Sequence, residues 1–397
     1  MKKQTIIAVT LALMGGIAAI TAPVARASLE FEIAQASTGS SQELRKLLRE
    51  GREQVDAGNY AAALTLYEQA AALDGKNARI FSGIGYLQAT QENYQAASEA
   101  YRKAVELEPE NGDFQYALGF TLANLGDNPG AAAAYRRAIE INQENIDAYL
   151  GLGVVLLRQG DFDGAMRAYE VVTTRNPQQW QAYEYIGTAL LDQGRSGEAI
   201  AALQKANQLA PNQISVQVKL GNAFLKQGNL NEAIAAFEKA AALEPRNAQI
   251  RLEIAKLLQV SNNIDGALTN YKQAAAIEPR NPQIHLQIAQ ILRQRQDIEG
   301  ALTAYREVAG LAPEMLEPHL FIGEIYLQRQ NYLEAIVSYR EAIEIDPDNA
   351  DAHYYLGMAL QGRERHDEAK EVLEKALALY RQENNSEGVK KVEALLK

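Results

Sequence analysis

Three of the four histidines in this chain, His285, His319 and His353, stand 34 residues apart. Imidazole is the commonest metal ligand and titrates near neutral pH, so such a row suggests a metal site or a proton-sensing ladder. If each histidine occupies the same point of successive parallel helices, the helix axes lie about 8–10 Å apart. Ligands of a single zinc lie within about 2.1 Å of it, so one ion shared by all three is geometrically poor, and sensitivity to protonation stays open. Asp346, Asp348 and Asp351 imitate a calcium loop, but Ala350 and the missing turn glycine break its spacing. Gly83-Ile84-Gly85 and Gly151-Leu152-Gly153 resemble pieces of a dinucleotide fingerprint, yet no strand pattern precedes either pair. The chain has no cysteine, which excludes thiolate metal sites, disulfides and cysteine nucleophiles together. Phosphate loops, zinc-protease helices and nucleophile elbows do not occur in usable form. No catalytic residue, metal or cofactor is expected, and the chain reads as a non-enzyme.

The histidine spacing is the spacing of everything else. AAALEPRNAQIRLEIA at 240–255 returns as AAAIEPRNPQIHLQIA at 274–289. Prolines at 109, 177, 211, 245, 279, 313 and 347 keep the same interval, with Gln143 in the one place between 109 and 347 that lacks proline. Setting each lattice site as position 32 of a unit divides 44–383 into ten units without insertion: 44–77, 78–111, 112–145, 146–179, 180–213, 214–247, 248–281, 282–315, 316–349 and 350–383. Within a unit, apolar residues recur at helical spacing in two blocks. A break near position 15 separates the blocks, often at a glycine such as Gly58, Gly126, Gly160, Gly194 or Gly228. Each unit is thus two helices and a turn, and proline at position 32 stops the second helix. Hydrophobic content of 47% with only 7% aromatic residues suits an all-α fold.

Side-chain size alternates in register with this period. Position 20 is alanine in all ten units, from Ala63 to Ala369, and position 8 is glycine in eight, with Ala255 and Ala289 in the others. Glycine inside a helix costs about 1 kcal/mol relative to alanine, so its recurrence implies a helix contact with no room for a side chain. Position 24 is large (Tyr67, Tyr101, Tyr135, Tyr169, Phe237, Tyr271, Tyr305, Tyr339), and position 27 is often alanine. Large opposite small predicts interdigitation between units.

Glycine at 8, alanine at 20, tyrosine or phenylalanine at 24, alanine at 27 and proline at 32 resemble the tetratricopeptide repeat family over residues 44 to about 383. The family's tryptophan at position 4 is approximated by Phe81, Tyr149 and Tyr183, whereas Gln115, Gln217, Arg251, His285, His319 and His353 depart from it. The resemblance implies that the histidines stand in for that aromatic packing residue. It also implies a right-handed superhelical solenoid of helix pairs, with the first helices lining an inner, partner-binding surface. Residues 384–397 carry Val389, Val392 and Leu396 on one helical face and read as a closing helix.

The family's inner-surface positions 2, 5, 9, 12 and 13 can be read off directly. Early units supply Tyr86, Tyr116, Phe120, Leu150, Val154 and Leu157, an apolar stripe; later units supply Asn222, Lys226, Lys256, Gln290, Arg293 and Gln294, a polar and partly basic stretch. These twelve are the candidate partner-binding residues, suited to a segment that is apolar at one end and acidic at the other. Ordinary packing and solvated surface are the competing reading. The family's carboxylate clamp is not reproduced, because Asn222 is at position 9 but Val218 holds position 5 and Lys219 position 6.

The N-terminus addresses the location. Lys2-Lys3, an apolar run and the small-x-small Ala25-Arg26-Ala27 read as a secretory signal peptide over 1–27, with an uncleaved anchor at 5–23 as the alternative. Residues 28–43 read as a flexible lead-in, with Ser40 and Glu43 at capping-box spacing. The formal net charge of -11 makes nucleic acid a poor partner. The expectation is an exported, periplasmic or lumenal scaffold that binds protein or peptide segments. Membrane contact would run only through the N-terminal segment, and the oligomeric state is open. The alternative is recognition of polysaccharide, with rings stacked on sugars, or of an envelope export machine.

Overall fold

The computed structural model describes residues 42–396, so the signal segment, Ser40 and nearly all of the lead-in lie outside the described residues. Among these residues there are 21 helices and no strand. Two compact units divide between Asn229 and Leu230. The first holds α1 (Gln42–Asp56), α2 (Tyr60–Leu73), α3 (Ala78–Thr90), α4 (Tyr94–Leu107), α5 (Gly112–Leu125), α6 (Asn128–Ile141), α7 (Ile146–Arg158), α8 (Phe162–Arg175), α9 (Trp180–Asp192), α10 (Ser196–Leu209) and α11 (Ile214–Gln227). The second holds α12 (Leu230–Leu243), α13 (Ala248–Val260), α14 (Ile264–Ile277), α15 (Pro282–Gln294), α16 (Ile298–Leu311), α17 (Leu316–Gln328), α18 (Tyr332–Ile345), α19 (Ala350–Gly362), α20 (His366–Gln382) and α21 (Ser386–Leu395).

Odd-numbered helices from α1 to α19 open the repeats and even-numbered ones close them. Within each unit every closing helix also packs on the next opening helix, so the order in space is the order in sequence. Local signals fix the ends. Asn77, Asn111, Asn145, Asn247, Asn281 and Asn349 cap opening helices by accepting backbone N–H bonds. Position 15 has positive φ in every repeat that carries glycine there, and also at Glu92, Asn262, Gln296, Gln330 and Glu364. The turn therefore demands a left-handed residue whether or not glycine supplies it. The lead-in is shorter than expected, since Gln42 and Glu43 already belong to α1.

The core follows from the size alternation. The position-20 alanines are buried throughout, as are Tyr67, Tyr101, Tyr135, Tyr169, Tyr271, Tyr305 and Tyr339. A Cβ added to Gly85 would stand 2.8 Å from the Tyr101 ring, one on Gly119 2.9 Å from Tyr135, and one on Gly323 2.8 Å from Tyr339. The other side of each ring meets position 6 of the following repeat. There Gly83 lets Tyr67 approach, with 2.6 Å left for a Cβ, and Gly151 does the same for Tyr135. Where position 6 is aromatic the rings stack instead: Tyr169 on Tyr185 at 5.7 Å, Tyr305 on Phe321 at 4.3 Å and Tyr339 on Tyr355 at 5.7 Å between centroids. At the C-terminal end α21 buries Val392 against Tyr380 and Leu373, and Gln361 donates to the Leu395 carbonyl at 3.0 Å.

Two glycine substitutions separate packing from propensity. Gly119→Ala should lower stability by about 1–3 kcal/mol because the Tyr135 ring must shift. Gly310→Ala, with no atom within 4 Å of the new Cβ, should raise it by about 0.5 kcal/mol through the unfolded chain. Denaturation of both variants in parallel measures this, and a neutral Gly119→Ala would mean that the ring does not set the interhelical approach.

Candidate functional site

The opening helices form a row. In the first unit α5 approaches α7, α7 approaches α9 and α9 approaches α11; in the second, α17 approaches α19. The sequence places eight of the twelve candidate residues on the first unit's row and four on the second's.

In the first unit Tyr86, Phe120, Val154 and Leu157 are half-buried. Tyr86 lies on the cluster of Leu44, Tyr67 and Leu87, while Phe120 and Leu157 lie on that of Tyr116, Tyr135 and Leu152. Tyr86, Phe120 and Leu157 thus each have a supported side and an open side. Tyr116 and Leu150 behave differently and correct the sequence reading: they are 1% and 3% exposed, so neither belongs to a surface stripe. Both occupy position 5, and Tyr116 is drawn under the repeat by Tyr135, 5.9 Å away between centroids. A three-ring platform of Tyr86, Tyr116 and Phe120 for sugars is therefore not formed. Asn222 is half-buried. Lys226 does not stand free, because its ammonium donates to the Leu191 carbonyl at 2.9 Å. Arg158 does the same to Ala123 at 2.8 Å. A basic residue at position 13 thus satisfies the preceding opening helix at its carbonyl end. Lys219 pairs with the buried Glu184 at 2.8 Å.

The basic stretch of the second unit is neutralised from within. Lys256 pairs with Glu253 at 3.0 Å. Gln290 donates to both Glu317 oxygens at 3.1 and 3.0 Å. Arg293 lies 4.9 Å from the Phe321 ring centroid and 3.5 Å from Glu324. Gln294 is exposed and makes no side-chain hydrogen bond among the described residues. Sequence reasoning counted the cations and missed the acids, which stand three residues before Lys256 and one repeat after Gln290 and Arg293. The expected complement to an acidic ligand segment is consequently spent inside the chain.

Acids and tyrosines meet on both rows, with different outcomes. Tyr305 donates to Glu317 at 3.0 Å, and its pKa is pushed up to about 12 by burial first and by that carboxylate second. Tyr380 donates to Asp351. In the first unit Asp147 lies within electrostatic reach of Tyr116 and Tyr135, but makes no hydrogen bond or ion pair to either. Burial alone raises its carboxyl above the usual carboxylate range. Tyr185, half-buried over Tyr169, is pushed up to about 12 by burial and then by Glu184.

The histidine row has a single explanation that is not a metal. Nε2 of His285, His319 and His353 donates to the carbonyls of Pro279, Pro313 and Pro347, each at 2.9 Å. Gln115 and Gln217, at the same repeat position, donate to Pro109 at 3.5 Å and Pro211 at 3.3 Å. Position 4 therefore ties the turn between repeats to the next opening helix, and imidazole there is a hydrogen-bond donor rather than a stand-in ring. Nδ1 of His319 lies 2.8 Å from Glu341 and that of His285 3.5 Å from Glu307, contacts that become ion pairs when the ring is protonated. Among the described residues no group of three or more His, Asp or Glu is placed to hold a metal ion. The three calcium-like aspartates diverge: Asp346 accepts from Asn349, Asp348 pairs with Lys375 and Asp351 accepts from Tyr380.

Comparison with known proteins agrees with this architecture. The family model described as the cilia and flagella-associated protein 70 C-terminal domain matches residues 111–320. Tetratricopeptide repeat models match 48–111, 323–362 and 350–383. No curated protein matches. Among solved structures, a tetratricopeptide repeat protein from Parabacteroides merdae is 16% identical with a TM-score of 0.51, over 64% of this chain and 100% of its own. PilF of Pseudomonas aeruginosa is 25% identical with a TM-score of 0.42, over 54% and 97%. YrrB, described as having an unusual peptide-binding site, is 20% identical with a TM-score of 0.38, over 45% and 92%.

His353 isolates the position-4 bond, because its Nδ1 has no partner. His353→Gln should preserve stability, as glutamine already serves at 115 and 217. His353→Leu should cost about 1 kcal/mol for the lost donor. Thermal melts of the two variants decide; equal losses would mean that ring shape, not the bond, is what position 4 requires.

Proposed function

We propose that this chain, which belongs to the tetratricopeptide repeat family, is a non-catalytic scaffold exported from the cytoplasm that holds partner polypeptide segments along its opening helices. Proteins of the family serve as protein-interaction scaffolds. The observation that carries the reading here is the set Tyr86, Phe120 and Leu157. Apolar side chains on three successive opening helices keep an open side while their other sides rest on a packed core. Preorganised apolar area of this kind offers binding energy without an ordering cost.

Export is supported by Lys2-Lys3, the apolar run behind it and Ala25-Arg26-Ala27. No helix among the described residues is long and apolar enough to cross a membrane. A periplasmic or lumenal site of action, in assembly of a complex of that compartment, fits both features.

A photoreactive amino acid at Phe120 or Val154 should form protein adducts in the native host, whereas one at Arg136, exposed on the closing helix α6, should not. Equal capture from all three positions, or adducts to glycan alone, would overturn the scaffold reading. Deleting residues 1–27 should leave the protein in the cytoplasmic fraction, and unchanged fractionation would remove the export part of the proposal.

A further inference from the structure

The cations of the opening helices are not all held alike. Arg158, Lys219, Lys226, Lys256 and Arg293 each have an internal partner. The arginines of α1 are held less. Arg45, Arg49 and Arg52 stand at repeat positions 2, 6 and 9 and, at spacings of four and three residues, share one face of the helix. Arg45 and Arg49 are exposed and Arg52 is half-buried. Arg45 and Arg52 make no ion pair or side-chain hydrogen bond among the described residues. Arg49 reaches Glu53 at 3.9 Å, but both side chains are largely exposed, so water screens the pair and holds neither group firmly. Asp56, one turn past Arg52, pairs with none of the three, and helical spacing puts Glu43 and Glu50 away from their face.

This face adjoins the apolar row. Arg52 occupies the repeat position that Tyr86 and Phe120 hold on the next two opening helices. Tyr86 packs on one cluster with Leu44, Leu47 and Leu48, the buried side of α1. Phe120 and Leu157 extend the row over the following cluster. One end of the row is therefore cationic and the rest apolar, all within the first compact unit. Packed helices lie about 8–10 Å apart, and an extended chain covers that distance in about three residues. A segment crossing the row meets a new opening helix at that interval.

We propose that α1, α3 and α5 bind an extended segment of a partner polypeptide, with acidic side chains on Arg45, Arg49 and Arg52 and apolar ones, about three residues apart, on Tyr86 and Phe120. The inference rests on the scaffold reading above and gives the partner its chemistry and its placement along the row. Carboxylates suit these arginines because a planar guanidinium takes one through two parallel N–H bonds, and because no firm internal contact is surrendered. A basic segment would set like charge against them. Position 5, where the family's carboxylate clamp has lysine, is here the buried Leu48, so the contact is of a different kind. The sequence pattern put the acidic end of the ligand over the later repeats, where Lys256 and Arg293 are already paired. The unheld cations put it over the first repeat instead.

The test uses the full chain and fluorescent peptides with blocked termini, leucine at every third residue and serine between. Each carries a pair of glutamates, glutamines or lysines, placed at its N-terminus in one version and its C-terminus in another. In the better-bound direction, anisotropy should rank them glutamate, glutamine, lysine, the opposite of the order that a net charge of -11 alone would give. Arg45→Gln and Arg52→Gln together should weaken the glutamate peptide about tenfold and leave the glutamine peptide nearly unchanged. Arg136→Gln, which removes an exposed cation from closing helix α6, should do little. A photoreactive group at the glutamate end should label residues 42–56, and one at the leucine end residues 112–125. The double variant should keep its melting temperature, since neither arginine has an internal partner.

Tightest binding of the lysine peptide, equal weakening by Arg136→Gln, or labelling of the second unit around Lys256 and Arg293 by the glutamate end would each overturn the proposal. A lower melting temperature in the double variant would remove it too, because the arginines would then serve the fold. If all three peptides bind alike, the acid-reading end falls while the scaffold reading stands. If none binds, the acid-reading end falls, and the Phe120 adducts in the native host decide the scaffold reading separately.

Discussion

A tyrosine ring lying flat on helix backbone governs this molecule. At position 24 the ring rests against position 8 of its own repeat, where glycine leaves the backbone bare, and against position 6 of the next. One side chain thus sets the distance within a hairpin and the distance between hairpins. Because both distances depend on the same ring, neither can vary alone, and the interval of 34 residues admits no insertion across ten repeats. Position 6 is where the chain changes character. Glycine at 83 and 151 lets the ring slide onto backbone, whereas Tyr185, Phe321 and Tyr355 meet it with a ring of their own. Stability then accumulates from neighbour to neighbour rather than from a common centre.

Polar groups close what the rings leave open. Each boundary between repeats exposes the carbonyl end of a closing helix and the amide end of an opening one. Asparagine caps the amides, and a donor at position 4 reaches back to the proline carbonyl. Histidine at 285, 319 and 353 and glutamine at 115 and 217 both present an N–H to that carbonyl, although they share little else in shape. Titratable rings thus enter the structure for hydrogen bonding. Their contacts with Glu307 and Glu341 are incidental to that bond, since His353 makes it without any such acid.

Much of this was legible in the sequence because the signal repeats ten times. Helix pairs, the small residues at 8 and 20 and the large ones at 24 each follow from a pattern that chance cannot sustain in register. The face of the opening helices was only partly legible. Tyr116 and Leu150 stand at a position that the family turns to its partner, yet both are buried in the packed core, Tyr116 beside the Tyr135 ring, and spacing alone does not reveal that. The cations at 226, 256 and 293 misled for a related reason. A charge on a helix reads as free until its partner is found, and these partners are a carbonyl on the preceding opening helix, an acid three residues back and an acid on the next repeat.

Which of these groups can do anything for a ligand depends on what they already do for the fold. A lysine paired with Glu253, or an arginine stacked on Phe321 and held by Glu324, must give up an internal contact before it can make an external one, so its net contribution to binding is small. A half-buried apolar side chain such as Phe120 or Leu157 has no internal contact to surrender on its open side. A scaffold built from near-identical hairpins therefore offers a ligand the groups that packing leaves open, while charges that stand out in its sequence, such as Lys256 and Arg293, are held by the fold.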